Sequence, residues 1–449
     1  MIASVDVLIC GGGLSGLAAA LRCTEAGLDT ALAEQTGSLG GRCSSYIDAA
    51  TGDVVDNGQH VLLGAYRATM KYLGMVGSRG HLRSRSALHL PLIDPHLGYV
   101  PFTISALPRP FHLTAGMLKF RLLPWNERRR LLNVGLHLYR WNKALEAELS
   151  CLTVEEWLIA AGQSELARRS LWYPIAVSVM NEEPDRASAL LFARSLRTAF
   201  LGGRADSAIL LPDVGQTELY VAPAERILAE RKCRVWKGEE VVSVEPAPRG
   251  GYRVRMKGGR LITASSVIMT VPPYSLGKVL PGPLRSVMPF ASLNRIASSP
   301  IVSVHLWFDE EIMEMDFAGC IGRSVQWVFN RRRITAHRGG PPGYLSCVIS
   351  GARRFIGEPK EKLIAMAVDD IGEFFCRGRK PRTVHAIVIK EKRATFSPTN
   401  DVERLRPGTI TPLRNYFLAG DWTATGLPAT IEGAVASGFA AAEAAIRGI

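Results

Sequence analysis

The segment GGGLSG at residues 11–16 has the residue types and spacing to hold a phosphate against a backbone. An apolar run, residues 5–10, leads straight into it, and a run of small residues follows. Gly11 permits a tight turn, Gly13 lets the chain approach a pyrophosphate, and Gly16 lets the next helix pack closely on the strand. That helix opens at Leu14 and Ser15, where unpaired N–H groups attract phosphate oxygens. A second apolar run ends at Glu34, with Gln35 beside it. A carboxylate there accepts hydrogen bonds from both ribose hydroxyls. It favours an adenosine with a free 2′-hydroxyl, so FAD or NAD rather than NADP. A merely tight turn would not require strand, helix, second strand and acid in one register.

The other end of the chain carries a second pattern, NYFLAGDWTATGLPATIEGAVASG at residues 415–438. An apolar strand ends in Gly420 and Asp421. A loop follows, then a helix starting near Thr430, with Ile431, Glu432, Gly433 and Ala434 in its first turn. Small residues on that face admit a planar ligand. The helix N-terminus places positive partial charge against an electron-rich ring edge, as the N1–C2=O2 edge of a flavin would be. Asp421 is suited to a ribityl hydroxyl, and Glu432 to capping or orienting its helix. An ordinary strand–glycine–helix unit is the alternative for this segment taken alone.

These motifs need a parallel sheet to bring them together. Residues 1–80 read as a βαβ unit followed by a loop and a helix at 66–73. Residues 226–280 return to β character, with a buried strand at 266–271 stopped by Pro272 and Pro273. Residues 301–308, 343–350 and 383–390 read as strands, 359–375 as a helix, and 331–338 as an exposed basic loop. The expected organisation is a discontinuous nucleotide-binding domain (residues 1–80, 226–290 and 400–449). It is interleaved with substrate-domain material (81–225 and 291–399).

The 449 residues are 47% apolar and 21% charged, enough for a large core and unlike a disordered chain. The net charge of +13 admits nucleic acid or an anionic membrane as partner. Zinc-finger spacing, an RNP-like strand and a long basic tail are all missing from the sequence, which argues against nucleic acid. Residues 113–141 interleave leucines and aromatics with Arg121 and Arg128, Arg129 and Arg130. That suits a helix pair lying in a membrane interface, although two packed helices would share the pattern. The eight cysteines are scattered without CxxC or metal spacing, so buried thiols and no metal site are expected. A leading nucleotide-binding strand is not expected to be a cleaved signal, and no apolar run of about 18 residues predicts a spanning helix.

Taken together, the segments resemble the flavin amine oxidase and phytoene desaturase superfamily. The resemblance is carried by Gly11, Gly13, Gly16 and Glu34, then Leu39, Gly40, Gly41 and Arg42, then Gly420, Asp421, Glu432, Gly433 and Ala434. It implies an α/β fold: a Rossmann-like FAD-binding domain with an interleaved α+β substrate domain. It further implies that Arg42 and its glycines lie along the FAD pyrophosphate, that Val241 and Val242 read the adenine, and that Gly58, Gln59 and His60 lie near the isoalloxazine. Within the superfamily the chain is most similar to the hydroxysqualene dehydroxylases of hopanoid synthesis. Residues 56–73, 187–200 with 206–212, and above all 418–438 carry that match, while the stretch after Pro212 departs from the family pattern.

The closer resemblance implies reductive removal of the hydroxyl of hydroxysqualene, a C30 isoprenoid, to give squalene. It also implies a cytoplasmic enzyme, peripheral on the membrane, and contact with prenyl synthases of the squalene pathway. His60 and Gln59 are the candidate catalytic residues, with a purely structural role as the alternative. Asn181, Glu182 and Glu183 read as a solvated turn. Carotenoid desaturation, amine oxidation and a non-catalytic FAD-fold chaperone or prenyl-binding protein are the competing functions. The amine reading is weakened because Trp422 follows the GD element but no tyrosine precedes the EGA helix.

Overall fold

The computed structural model describes residues 3–84, 88–104, 107, 111–203, 205–248, 250–335 and 339–448. A seven-stranded sheet is built from distant parts of the chain. Its parallel part runs Arg234–Lys237, Thr30–Glu34, Ala3–Cys10 and Leu261–Met269. One edge of Leu261–Met269 is shared. Its first half pairs antiparallel with Tyr252–Met256, which pairs in turn with Val241–Pro246. Its last residues pair parallel with Tyr416–Leu418.

Strands buried on both faces are near-continuous apolar runs, as in Thr30–Glu34, where every residue is buried. The helix Leu14–Glu25 lies on this sheet and packs against the C-terminal helix Ile431–Gly448. The small residues permit that closeness: a Cβ on Gly438 would stand 2.2 Å from the Ser15 carbonyl oxygen.

The second seven-stranded sheet is mostly antiparallel. Its order is Thr383–Phe396, Ser298–Phe308, Gly343–Ile349, Trp327–Asn330, Phe317–Cys320, Leu92–Asp94 and Gly98–Tyr99. Side chains alternate between its faces, as a pleated strand requires. Val302, Ala318, Val328 and Ile349 pack toward the helix Lys360–Phe375. Ile301, Phe317, Phe329 and Val348 face the other way and line a cavity. The helices Tyr173–Met180 and Ala189–Phe200 line the same cavity through Ile175, Val179, Leu196 and Phe200.

Several expectations shift. The strand expected at 383–390 continues to Phe396, and the one expected at 266–271 starts at Leu261 and ends at Met269. Residues 331–335 are not an exposed loop. Asn330 caps a short helix, Arg331–Ile334, and Arg331 is 1% exposed. Residues 336–338 of that expected loop lie outside the described residues. The solvated turn at 181–183 is also corrected, since Glu182 is fully buried. It accepts from Arg353 Nη2 at 2.6 Å and from the Ser397 hydroxyl, and a buried carboxylate persists only with such partners.

Candidate functional site

The parallel strands Ala3–Cys10, Thr30–Glu34, Leu261–Met269 and Tyr416–Leu418 all point their carboxyl ends at one cavity of about 1480 Å³. Ligands in open α/β sheets bind there. A single small-molecule pocket runs to about 300–1,000 Å³, so this volume suits a cofactor with a large second ligand.

At the polar end, the expected phosphate turn has the geometry its glycines require. Gly11 has φ +114°, and a Cβ on it would meet Thr270 Oγ1 at 2.5 Å. A Cβ on Gly16 would stand 2.0 Å from the Gly11 carbonyl oxygen, so Gly16 serves packing and does not line the cavity. Gly13 is different. A Cβ there meets nothing within 4 Å, and as N-cap of the helix Leu14–Glu25 it offers no side chain to the first-turn N–H groups. Those groups therefore face the cavity beside Leu14 and Ser15. This donor set fits the pyrophosphate of a dinucleotide. Gly40, at φ +103°, and Gly41, at φ +58°, turn the next segment against Gly13.

Glu34 lines the cavity with Gln35, yet much of its acceptor capacity is already engaged. One oxygen accepts the Gly12 N–H at 2.7 Å, and the other accepts the Thr36 N–H and hydroxyl, each at 2.9 Å. A carboxylate has about four acceptor sites, so roughly one remains for a ribose hydroxyl. Glu34 thus holds the turn as well as lining the cavity. Val241 and Val242 line the same end. Arg42 donates to Asp421 at 2.6 Å and to the Ala394 carbonyl, joining residues that the sequence assigned to different parts of a cofactor.

Gly420, Asp421, Thr430, Ile431, Glu432 and Ala434 also line the cavity. Glu432 does not cap its own helix. Its oxygens accept the Ala68 N–H and the Thr69 N–H, each at 2.9 Å, and the Thr69 hydroxyl at 2.7 Å. It thereby caps the helix Arg67–Val76, whose own N-cap position, Tyr66, supplies no side-chain bond.

Gly58, Gln59 and His60 also line the cavity. His60 Nδ1 stands 2.8 Å from the Gly58 carbonyl oxygen. A carbonyl only accepts, so Nδ1 carries the proton, and in the neutral ring Nε2 is a bare acceptor. Burial is the largest influence on His60 and holds it below the ordinary imidazole range. Gln59 Oε1 accepts from Arg331 Nη1. Arg331 also meets Asp56 Oδ2 at 3.1 Å, and Gln216 donates to the Gly58 carbonyl.

Sequence reasoning missed Arg331 and Gln216, and it also missed the aromatic wall of Phe317, Trp327 and Phe329. Alternating apolar residues at 317–320 and 327–330 were the available signal for the wall. Nothing local marked the other two. Cys10 and Cys43 line the cavity, but burial pushes both thiols up to about 12, so neither is a thiolate.

Comparisons with known proteins identify the family and the fold. The family described as flavin containing amine oxidoreductase matches residues 14–446. The chain is 31% identical to a hydroxysqualene dehydroxylase of Rhodopseudomonas palustris and 29% identical to one of Sinorhizobium fredii, each over 98% of both chains. It is 25% identical to a 15-cis-phytoene desaturase of an Oncidium hybrid cultivar, over 99% of this chain and 78% of that one. By structure it is similar to putrescine oxidase, with TM-score 0.73 at 16% identity over all of both chains. It is also similar to a cyclohexylamine oxidase from Brevibacterium oxydans, with TM-score 0.70 at 16% identity over 99% of both. The cofactor is FAD and the protein is an oxidoreductase with the α/β fold of the amine oxidases. The chain belongs to the flavin-containing amine oxidoreductase family, and hydroxysqualene dehydroxylases and phytoene desaturases are among its relatives.

Proposed function

We propose that this protein reductively removes the hydroxyl of hydroxysqualene to give squalene. The observation that carries the reading is the make-up of the cavity. One end is a dinucleotide cradle, the other is an apolar chamber walled by Leu63, Ile175, Leu196, Ile301, Phe317 and Phe329, and His60 and Gln59 also line it. A long hydrocarbon bearing one polar group matches that distribution. Relatives named hydroxysqualene dehydroxylase at about 30% identity support the choice of alcohol.

The reaction breaks one C–O bond and forms one C–H bond. The alcohol carbon is reduced by two electrons, and the oxygen leaves with its electron pair as water after taking a proton. Reduced flavin supplies the hydride. The chain's part is to exclude water from an electron-poor carbon, which the aromatic and aliphatic wall suits. His60 Nε2 is the group suited to give the proton, and it can do so only when the ring is doubly protonated. Reduced holoenzyme incubated anaerobically with hydroxysqualene should form squalene in a single turnover. Absence of squalene, together with flavin reduction by phytoene or an amine in the oxidised enzyme, would overturn the reading.

We also infer a cytoplasmic enzyme resting on an anionic membrane. In the helix Trp125–Tyr139, Trp125, Leu136 and Tyr139 share one exposed face at helical spacing, near exposed Arg121, Arg129 and Arg140. The leucines at 122, 123, 131 and 138 turn inward to the core instead. Among the described residues no helix is long and apolar enough to cross a membrane. Protein that fails to float with phosphatidylserine vesicles at low salt would rule this out.

A further inference from the structure

We infer that Gln59 and His60 form a hydroxyl-recognition couple whose polarity is set from behind by Arg331 and Gln216. This deepens the function proposed above and rests on it. Arg331 has no acceptor, so the Gln59 atom that meets its Nη1 must be the amide oxygen, and the amide NH2 is turned away from Arg331. One N–H of that group reaches the His60 carbonyl at 3.3 Å, and the other remains available on a residue that lines the cavity. The Gly58 carbonyl receives Gln216 Nε2 and stands 2.8 Å from His60 Nδ1, which makes Nε2 of the neutral ring, the form that receives the hydroxyl before proton transfer, an acceptor. Neighbouring cavity residues therefore present one donor and one acceptor. A hydroxyl is the simplest group that satisfies both, since its oxygen accepts and its hydrogen donates.

The supporting layer is built to hold this arrangement. Arg331 is 1% exposed, and its charge is met by Asp56, itself buried. Asp56 Oδ1 accepts the Ser45 hydroxyl at 2.7 Å and the Gln216 N–H at 3.0 Å, so both clamps share one carboxylate. Arg331 does not line the cavity and acts through Gln59, which makes it a positioning residue. Burying a guanidinium is costly unless it is paired, and the return here is a fixed orientation of the Gln59 amide.

The test compares binding of hydroxysqualene with binding of squalene to the oxidised holoenzyme, read from perturbation of the flavin absorbance. Two net hydrogen bonds predict that the alcohol binds about ten- to a hundredfold tighter than the hydrocarbon. Gln59→Glu keeps an acceptor for Arg331 but removes the amide donor, and should reduce the preference about tenfold while leaving squalene affinity in place. Arg331→Met should also cut it by freeing the amide to turn, and Arg331→Lys, which still donates to Gln59, should restore most of it. A wild type without alcohol preference, or a Gln59→Glu variant that keeps it in full, would overturn the inference. Alcohol preference without squalene formation in the reduced enzyme would instead sink the dehydroxylation reading and leave the couple standing.

Discussion

His305 offers a stability lever that can be worked from the structure. It is 1% exposed on the strand Ser298–Phe308, with Nδ1 at 3.0 Å from the Tyr344 hydroxyl. Burial, and then the Arg331 guanidinium, lower it from 6.5 to about 4. The unfolded chain therefore binds a proton that the folded chain refuses over that interval. Stability from this group is complete above pH 6.5 and is lost as the pH falls through the folded value. The difference between the two titration curves is about 2 kcal/mol at pH 5 and about 3 kcal/mol at pH 4.

His305→Phe removes the titration and keeps a flat ring near Trp307 and Tyr344. At neutral pH the variant should be less stable by about 1 kcal/mol, because the Tyr344 hydroxyl loses a partner. On acidification the order should reverse, with the variant overtaking the wild type between pH 6 and pH 5, where the linkage difference passes about 1 kcal/mol. Denaturant unfolding of holoenzyme from pH 4.5 to 7.5 would measure this, since the difference between the two proteins cancels other titrating groups to about 0.5 kcal/mol. A stability difference that stays constant across that range would refute the reasoning.

Gly16→Ala places a methyl 2.0 Å from the Gly11 carbonyl oxygen, against backbone that cannot yield, so purified variant should carry little or no flavin absorbance relative to protein. Glu432→Ala removes the acceptors for Ala68 and Thr69, and should cost about 1–2 kcal/mol in unfolding measurements, as loss of a helix cap does. Glu432→Gln keeps one acceptor oxygen and should cost less. The single-turnover rate on hydroxysqualene should rise as the pH falls toward the His60 titration, which lies below 6.5, because only the doubly protonated ring can give a proton from Nε2. A pH-independent rate, or an unchanged profile in His60→Gln, would assign the proton elsewhere.

What was legible in the sequence was short-range. A phosphate turn is made by residues a few positions apart, so Gly11, Gly13 and Gly16 announce it by spacing, and the strand–turn–helix around them follows from local pattern. The same holds for the strand and helix at 416–448, and for the apolar alternation of the second sheet. The supporting contacts were not legible, because their partners are far apart in the chain. Gln59 and Arg331 are separated by 272 positions, and Glu432 and Ala68 by 364. Arg331 sits in the sequence run RRR, which reads as a solvated loop until the fold brings Asp56 beside it. Glu182 misleads in the same way, since nothing near it in sequence foretells Arg353 and Ser397.

The sequence by itself determined that the chain takes a dinucleotide cofactor and which glycine-bearing segments meet at one cavity. Backbone conformation and residue size act within a few positions, and glycine spacing encodes them directly. The tertiary structure decided which side chains are donors and which are acceptors at the cavity. Those roles depend on the buried partner behind each group, and that partner is known only once distant strands have paired.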